Sequence, residues 1–150
     1  MKRRHTTLVR APRDSFAVWK ASLCSPADHK LFAYYKRDWT ESIGLWRGVD
    51  TKRGGRSHII RLNAQWLAWA GIDGVLDRIP AARVFHNLRA AQHREGASRG
   101  NFWWNWESGK VTDRNSGFFT VNHLLLINHA FRDQLAPAER DLLAIMLREA

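Results

Sequence analysis

The sequence predicts a mainly α fold with a small antiparallel β-hairpin, and three observations carry that prediction. Apolar residues recur at helical spacing behind recognisable start signals, of which Ser25-Pro26 and Pro80 are the clearest. One segment, Asn101 to Glu107, alternates instead at the two-residue period of a strand. Eight Trp in 150 residues and 45% hydrophobic content supply the bulk for one ordinary core, so a single domain spanning residues 1–150 is expected.

In chain order, residues 1–14 are basic, contain Pro12 and lack periodicity, and are expected to be a flexible arm. Phe16, Trp19 and Leu23 mark a short helix. Ser25 as cap, Pro26 at the first helical position and Asp28 three residues after the cap open a longer one, expected to reach about Asp38 with Leu31, Tyr34 and Tyr35 inward. Thr40 to Ile43 suggests a helical turn ending at Gly44, and Gly48 to Arg56 is a loop by composition. Ser57 to Leu62 is β-branched and predicts a strand. Asn63 is then placed to cap a helix over Ala64 to Ala70, ended by Gly71, with Ile72 as a buried peg of the turn Gly71 to Gly74.

Pro80 opens a helix over Ala81 to about Arg94. At 100° per residue, Val84, Phe85, Leu88 and Ala91 fall on one side; Arg83, His86, Ala90, His93 and Arg94 fall opposite, flanked by Asn87 and Arg89. After a loop at 95–100, the alternation puts Phe102, Trp104 and Trp106 on one face and Trp103 with Asn105 on the other. Gly117 to Val121 is the expected pairing partner, with a polar tip between them carrying Lys110 and Arg114. Residues 122–150 predict an αα-hairpin, its second helix behind Pro137.

Strand, short helix, tight turn, second helix and hairpin follow one another over residues 57–121, and in that order of elements the chain resembles the winged helix-turn-helix superfamily. The resemblance implies a DNA-binding protein whose second helix enters the major groove and whose wing lies along the backbone.

Charge points to the same class of partner. Lys+Arg number 24 against 14 Asp+Glu, a net +10 that draws polyanions. The excess sits in residues 1–37 and 78–100, and the polar face of the 81–94 helix holds no acid. Arg83, His86, Asn87, Arg89 and Arg94 are side chains that read base edges or hold phosphate. Lys110 and Arg114 would track phosphates from the wing, and Lys2, Arg3, Arg4 and Arg10 would add salt-dependent affinity from the arm. Lys52, Arg53 and Arg56 beside a Gly pair form either a phosphate contact or a solvated basic loop. The tryptophans of 103–106 are core or a stacking platform for single-stranded bases, with Trp103 the candidate for exposure.

Two other readings stay open: a basic helical subunit of a ribonucleoprotein that grips RNA or single-stranded DNA, broadly similar in size and charge to small subunits of CRISPR effector complexes, and a phage-type inhibitor that binds an acidic protein. A homodimer fits the long apolar run Leu124 to Ile127. No catalytic role, cofactor or metal is expected, with a nuclease as the remote alternative. His86 and His93 share a face, but seven residues separate them by about 10 Å, too far for one ion. Asp133, four residues after His129, fits an ordinary helical pair. Cys24 is alone, which excludes an intrachain disulfide and suits a reducing cytoplasm; no signal peptide or membrane span is expected.

Overall fold

The computed structural model describes residues 15–51 and 54–150. Among these, six α-helices carry the fold: α1 Ala17–Ala21, α2 Pro26–Lys36, α3 Ile60–Ile72, α4 Ala81–Ala91, α5 Ser116–Ala130 and α6 Pro137–Glu149. Two antiparallel pairs of two-residue strands lie between α2 and α3. β1 (Trp39–Thr40) pairs with β2 (Leu45–Trp46), and β3 (Gly48–Val49) with β4 (Arg56–Ser57). The protein is thus mainly helical with small antiparallel hairpins. No helix of the described residues is long and apolar enough to cross a membrane.

α2 begins as its sequence dictates. The Ser25 hydroxyl accepts from the Asp28 amide at 3.1 Å, and Pro26 fills a position that needs no donor. The Asp28 carboxylate is itself buried; it accepts from Trp19 Nε1 at 3.1 Å and pairs with Arg78 at 2.9 Å. One capping-turn acid therefore ties α1, α2 and the 75–79 segment together.

α3 is the central helix, packed against α4 and most extensively against α5. Gly71 permits that closeness: a Cβ there would lie 2.4 Å from the Phe131 ring. The core holds an aromatic cluster of Phe16, Trp19, Tyr35, Trp39, Trp46 and Trp66, and a mostly aliphatic remainder that includes Phe85 and Phe102. Val84, Phe85, Leu88 and Ala91 of α4 are all buried, as the helical period predicts. α5 and α6 form the expected helical pair, and Glu139 reaches back to the Ala136 amide at 2.7 Å to start α6.

Elsewhere the structure departs from the sequence prediction. The strand expected over Ser57–Leu62 is reduced to β4 and a single bridge from Ile59 to Asn105, and the helix starts at Ile60. Asn63 is consequently not a cap but a buried residue of α3. Its side chain accepts from the Trp46 amide at 2.8 Å and donates to the carbonyls of Trp46 and Ile59. Closing those backbone groups outweighs the β preference of Ile59 and Ile60. Ile72 is 63% exposed rather than a buried peg.

The 102–121 wing does not form. Phe102 bridges Gln92, a 3-10 turn covers Trp106–Ser108, and residues 117–121 open α5. The apolar run from Phe118 to Ile127 continues across that boundary, so burial of Thr120, Leu124 and Ile127 at helical spacing overrides the strand tendency of Phe, Thr and Val. Ser116 fixes the helix start by donating to the Phe102 carbonyl and to Asn101. What reads as a second strand is the first turn of a helix.

Candidate functional site

The polar face of α4 turns largely inward, onto the β1–β2 hairpin and the C-terminal helix. Arg83 pairs with Glu41 at 3.1 Å, donates to the Glu41 carbonyl and lies 6.0 Å from the Trp39 ring. Asn87 donates to the carbonyls of Ile43 and Gly44 at 2.8 and 3.2 Å. Arg89 bonds Gln92 at 2.9 Å and pairs with Glu149 at 2.8 Å. These three expected base readers are structural braces. Among the residues expected on this face, His86 and Arg94 are exposed.

Glu41 shows how strongly the hairpin is held. Partial burial works to raise its pKa, but hydrogen bonds from Trp39 and Lys36 and the charges of Lys36 and Arg83 outweigh it, so the carboxyl titrates below its ordinary value.

Lys110 and Arg114 are exposed on the loop before α5. Trp103 is half-buried against the core and packs 5.7 Å from Trp106, so it is not the free stacking surface the alternation suggests. Lys2, Arg3, Arg4, Arg10, Lys52 and Arg53 lie outside the described residues.

A different set of side chains converges instead. A groove of ≈ 260 Å³ is lined by Arg37, Asp38, Arg47, Arg56, Gln65 and Trp69, with Trp66 in its wall. Arg37 ends α2, Arg47 and Arg56 come from the β2–β4 region, and Gln65 and Trp69 share one face of α3 at i and i+4. Asp38, only 14% exposed at its side chain, takes Arg37 on one oxygen at 3.2 Å and Arg56 on the other. Arg47 and Arg56 each donate to the other's carbonyl, at 3.2 and 3.3 Å. The lining therefore carries three cations against one acid, with the acid holding two guanidiniums in place.

Beside the cations stands an aromatic row. Trp66 is wedged against Trp46 at 5.6 Å, nearly parallel, and contacts Tyr34 at 5.1 Å and Trp69 at 5.3 Å. Tyr34, 42% exposed, and Trp69, 38% exposed, offer surface to solvent, and the Arg37 guanidinium sits 5.8 Å over Tyr34. Tyr34 was expected inward, and Trp69 was not singled out. The signal available was the shared face of Gln65 and Trp69, which pairs an amide with an aromatic at i and i+4.

A second constellation joins residues far apart in sequence. His58 Nδ1 lies 2.6 Å from Glu107 Oε1, and Nε2 lies 2.8 Å from Thr40 Oγ1; the His58 amide also donates to Glu107. Hydroxyl, imidazole and carboxylate thus stand in the order of a hydrolytic triad. The imidazole is buried, however, and Thr40, His58 and Glu107 come from β1, the end of β4 and the 3-10 turn at 106–108. The line links three segments that are far apart in sequence. Asp50 continues it: its buried carboxylate accepts from Ser57 at 2.9 Å and Asn105 at 3.1 Å, which fixes the base of the 50–56 loop beside the groove. No cluster of three or more His, Cys, Asp or Glu among the described residues could hold a metal ion.

Compared with models of protein families, with curated proteins and with solved structures, the chain finds no match.

Proposed function

We propose that the protein binds single-stranded nucleic acid, RNA or DNA, without catalysis, through the groove of Arg37, Arg47, Arg56, Gln65 and Trp69. The observation that carries this reading is the juxtaposition of three arginines, two of them held by Asp38, with the exposed rings of Tyr34 and Trp69. Phosphates meet the guanidiniums, and unstacked bases lie on the rings, a combination that tolerates any sequence. The net charge of +10 supplies the long-range attraction. Duplex reading by α4 is the weaker alternative, because Arg83, Asn87 and Arg89 would have to leave internal partners to reach a groove. A reducing cytoplasm suits the exposed thiol of Cys24.

The test is fluorescence anisotropy with labelled oligo(dT), the matching RNA and a duplex across a salt series. Two or three neutralised phosphates predict log Kd changing with log salt at a slope of about 1.4 to 2.1, from ~0.7 per phosphate on a single strand. Quenching of tryptophan emission on oligo(dT) addition should accompany binding. A clear preference for duplex would overturn the assignment.

A further inference from the structure

A second cleft lies away from the groove, between the 99–101 loop, the start of α5 and the end of α6. Its volume is ≈ 440 Å³, and its lining includes Arg99, Asn101, Arg114, Phe118, Leu125 and Leu147. The lining mixes two chemistries. Its cations are Arg99 and Arg114, both exposed and neither in an ion pair among the described residues. Asp113, beside Arg114 in sequence, accepts from the Asn115 amide at 2.8 Å, and Glu149 is held by Arg89.

Asn101, two residues after Arg99, ties this loop to the segment that carries Arg114. It donates to the Arg114 carbonyl at 2.9 Å, and its Oδ1 accepts from Ser116 Oγ at 2.8 Å and from the Gly117 amide. Gly100, at φ +84°, brings the loop so close to the end of α6 that a Cβ would lie 2.4 Å from the Glu149 carbonyl. Its apolar part includes Phe118 and Leu125, which sit seven residues apart on one side of α5 and are 66% and 49% exposed. A helix wastes free energy by leaving such side chains in water unless something covers them.

We propose that this cleft binds a small amphiphilic carboxylate, an anionic head on an apolar chain, with the head between Arg99 and Arg114 and the chain along Phe118, Leu125 and Leu147. The volume lies within the roughly 300–1,000 Å³ of small-ligand sites, and exposed guanidiniums match a carboxylate in charge and in fork geometry. An extended nucleic acid would use the arginines but leave the aliphatic floor bare.

The test is calorimetric titration of the whole chain with decanoate, alongside acetate, which has the head alone, and decyltrimethylammonium, which has the chain with the opposite charge. Backbone NMR shifts locate the site. Decanoate should bind at one site, shifting residues 99–101 and 114–118, while both comparators bind at least about tenfold more weakly. The R99Q/R114Q pair and, separately, L125N should each weaken decanoate by about tenfold or more with the thermal unfolding midpoint unchanged, because all three side chains are exposed. Absence of decanoate binding, equal affinity for either comparator, shifts confined to another surface, or variants that bind as the parent does would each overturn the proposal.

Discussion

Replacing Trp69 with leucine separates the groove's binding role from its structural one. The side chain is 38% exposed and touches its neighbour Trp66 edge-on at 5.3 Å. Leucine keeps most of the apolar contact with α3's surroundings but removes the aromatic face. In the free protein the loss is that one aromatic pair, about 0.5–1.5 kcal/mol. A domain of this size moves its midpoint by roughly 2–4 °C per kcal/mol, so the unfolding temperature should fall by no more than about 6 °C. In the complex the loss is a stacked base, about 1–3 kcal/mol. With about 1.4 kcal/mol per factor of ten, oligo(dT) affinity should fall by roughly 5- to 150-fold. The wedge position of Trp66, closed by Trp46 on one side, means that no other indole in the row takes over the lost face. Anisotropy on parent and W69L at one low salt concentration gives the ratio, and the salt slope should stay the same because no phosphate contact has changed. Unaltered affinity, or a loss matched by an equal change in salt slope, would refute the stacking geometry.

Three further outcomes follow from the same contacts. Arg83→Glu places a carboxylate against Glu41 and should lower stability by about 1–3 kcal/mol in urea unfolding, while oligo(dT) affinity changes by less than about twofold; a selective loss of binding would return α4 to the interface. The Glu107 carboxyl is raised by partial burial, but the His58 ring and amide bonds outweigh that and hold it below its ordinary value of 4.5. A depressed folded-state pKa contributes stability above the unfolded value that is lost as pH falls through the folded one. Urea midpoints should therefore drop on acidification below about pH 4.5, and Glu107→Gln should flatten that part of the profile; an unchanged acid limb would remove the brace. Asn63→Ala strips three buried hydrogen bonds and leaves the Trp46 amide without its side-chain acceptor. At about 1–2 kcal/mol each that is ~3–6 kcal/mol, read as a fall of roughly 6–24 °C in calorimetry.

What was legible in the chain was whatever a local pattern determines. The Ser25-Pro26-Asp28 start of α2, the buried face of α4 and the pairing of α5 with α6 each rest on residues within a few turns of one another, and each is where the period puts it. The wing failed for the opposite reason. The segment 102–106 is bridged through its backbone to Gln92 at Phe102 and to Ile59 at Asn105, and neither neighbour is the 117–121 segment. Period two reports alternating environments, and an extended segment threaded between helices satisfies it as well as a hairpin does.

The site misled in a more instructive way. An acid-free polar face on α4 looks like a surface waiting for phosphate, yet Arg83 and Arg89 find their acids at Glu41 and Glu149, 42 and 60 positions away along the chain. Absence of a local counter-charge says nothing about a distant one, so charge patterning on a single helix overstates how free its cations are. The reverse holds in the groove. Asp38 stands between Arg37 and Trp39 in sequence and dilutes the basic pattern there, but in the fold that one carboxylate orients two guanidiniums beside an exposed indole. An acid that aims arginines outward serves an anion site better than an acid-free helix whose arginines are aimed inward. On that ground the proposed binding surface is assigned to the α2–α3 side of the molecule, and Arg83 and Arg89 of α4 to the internal contacts they make.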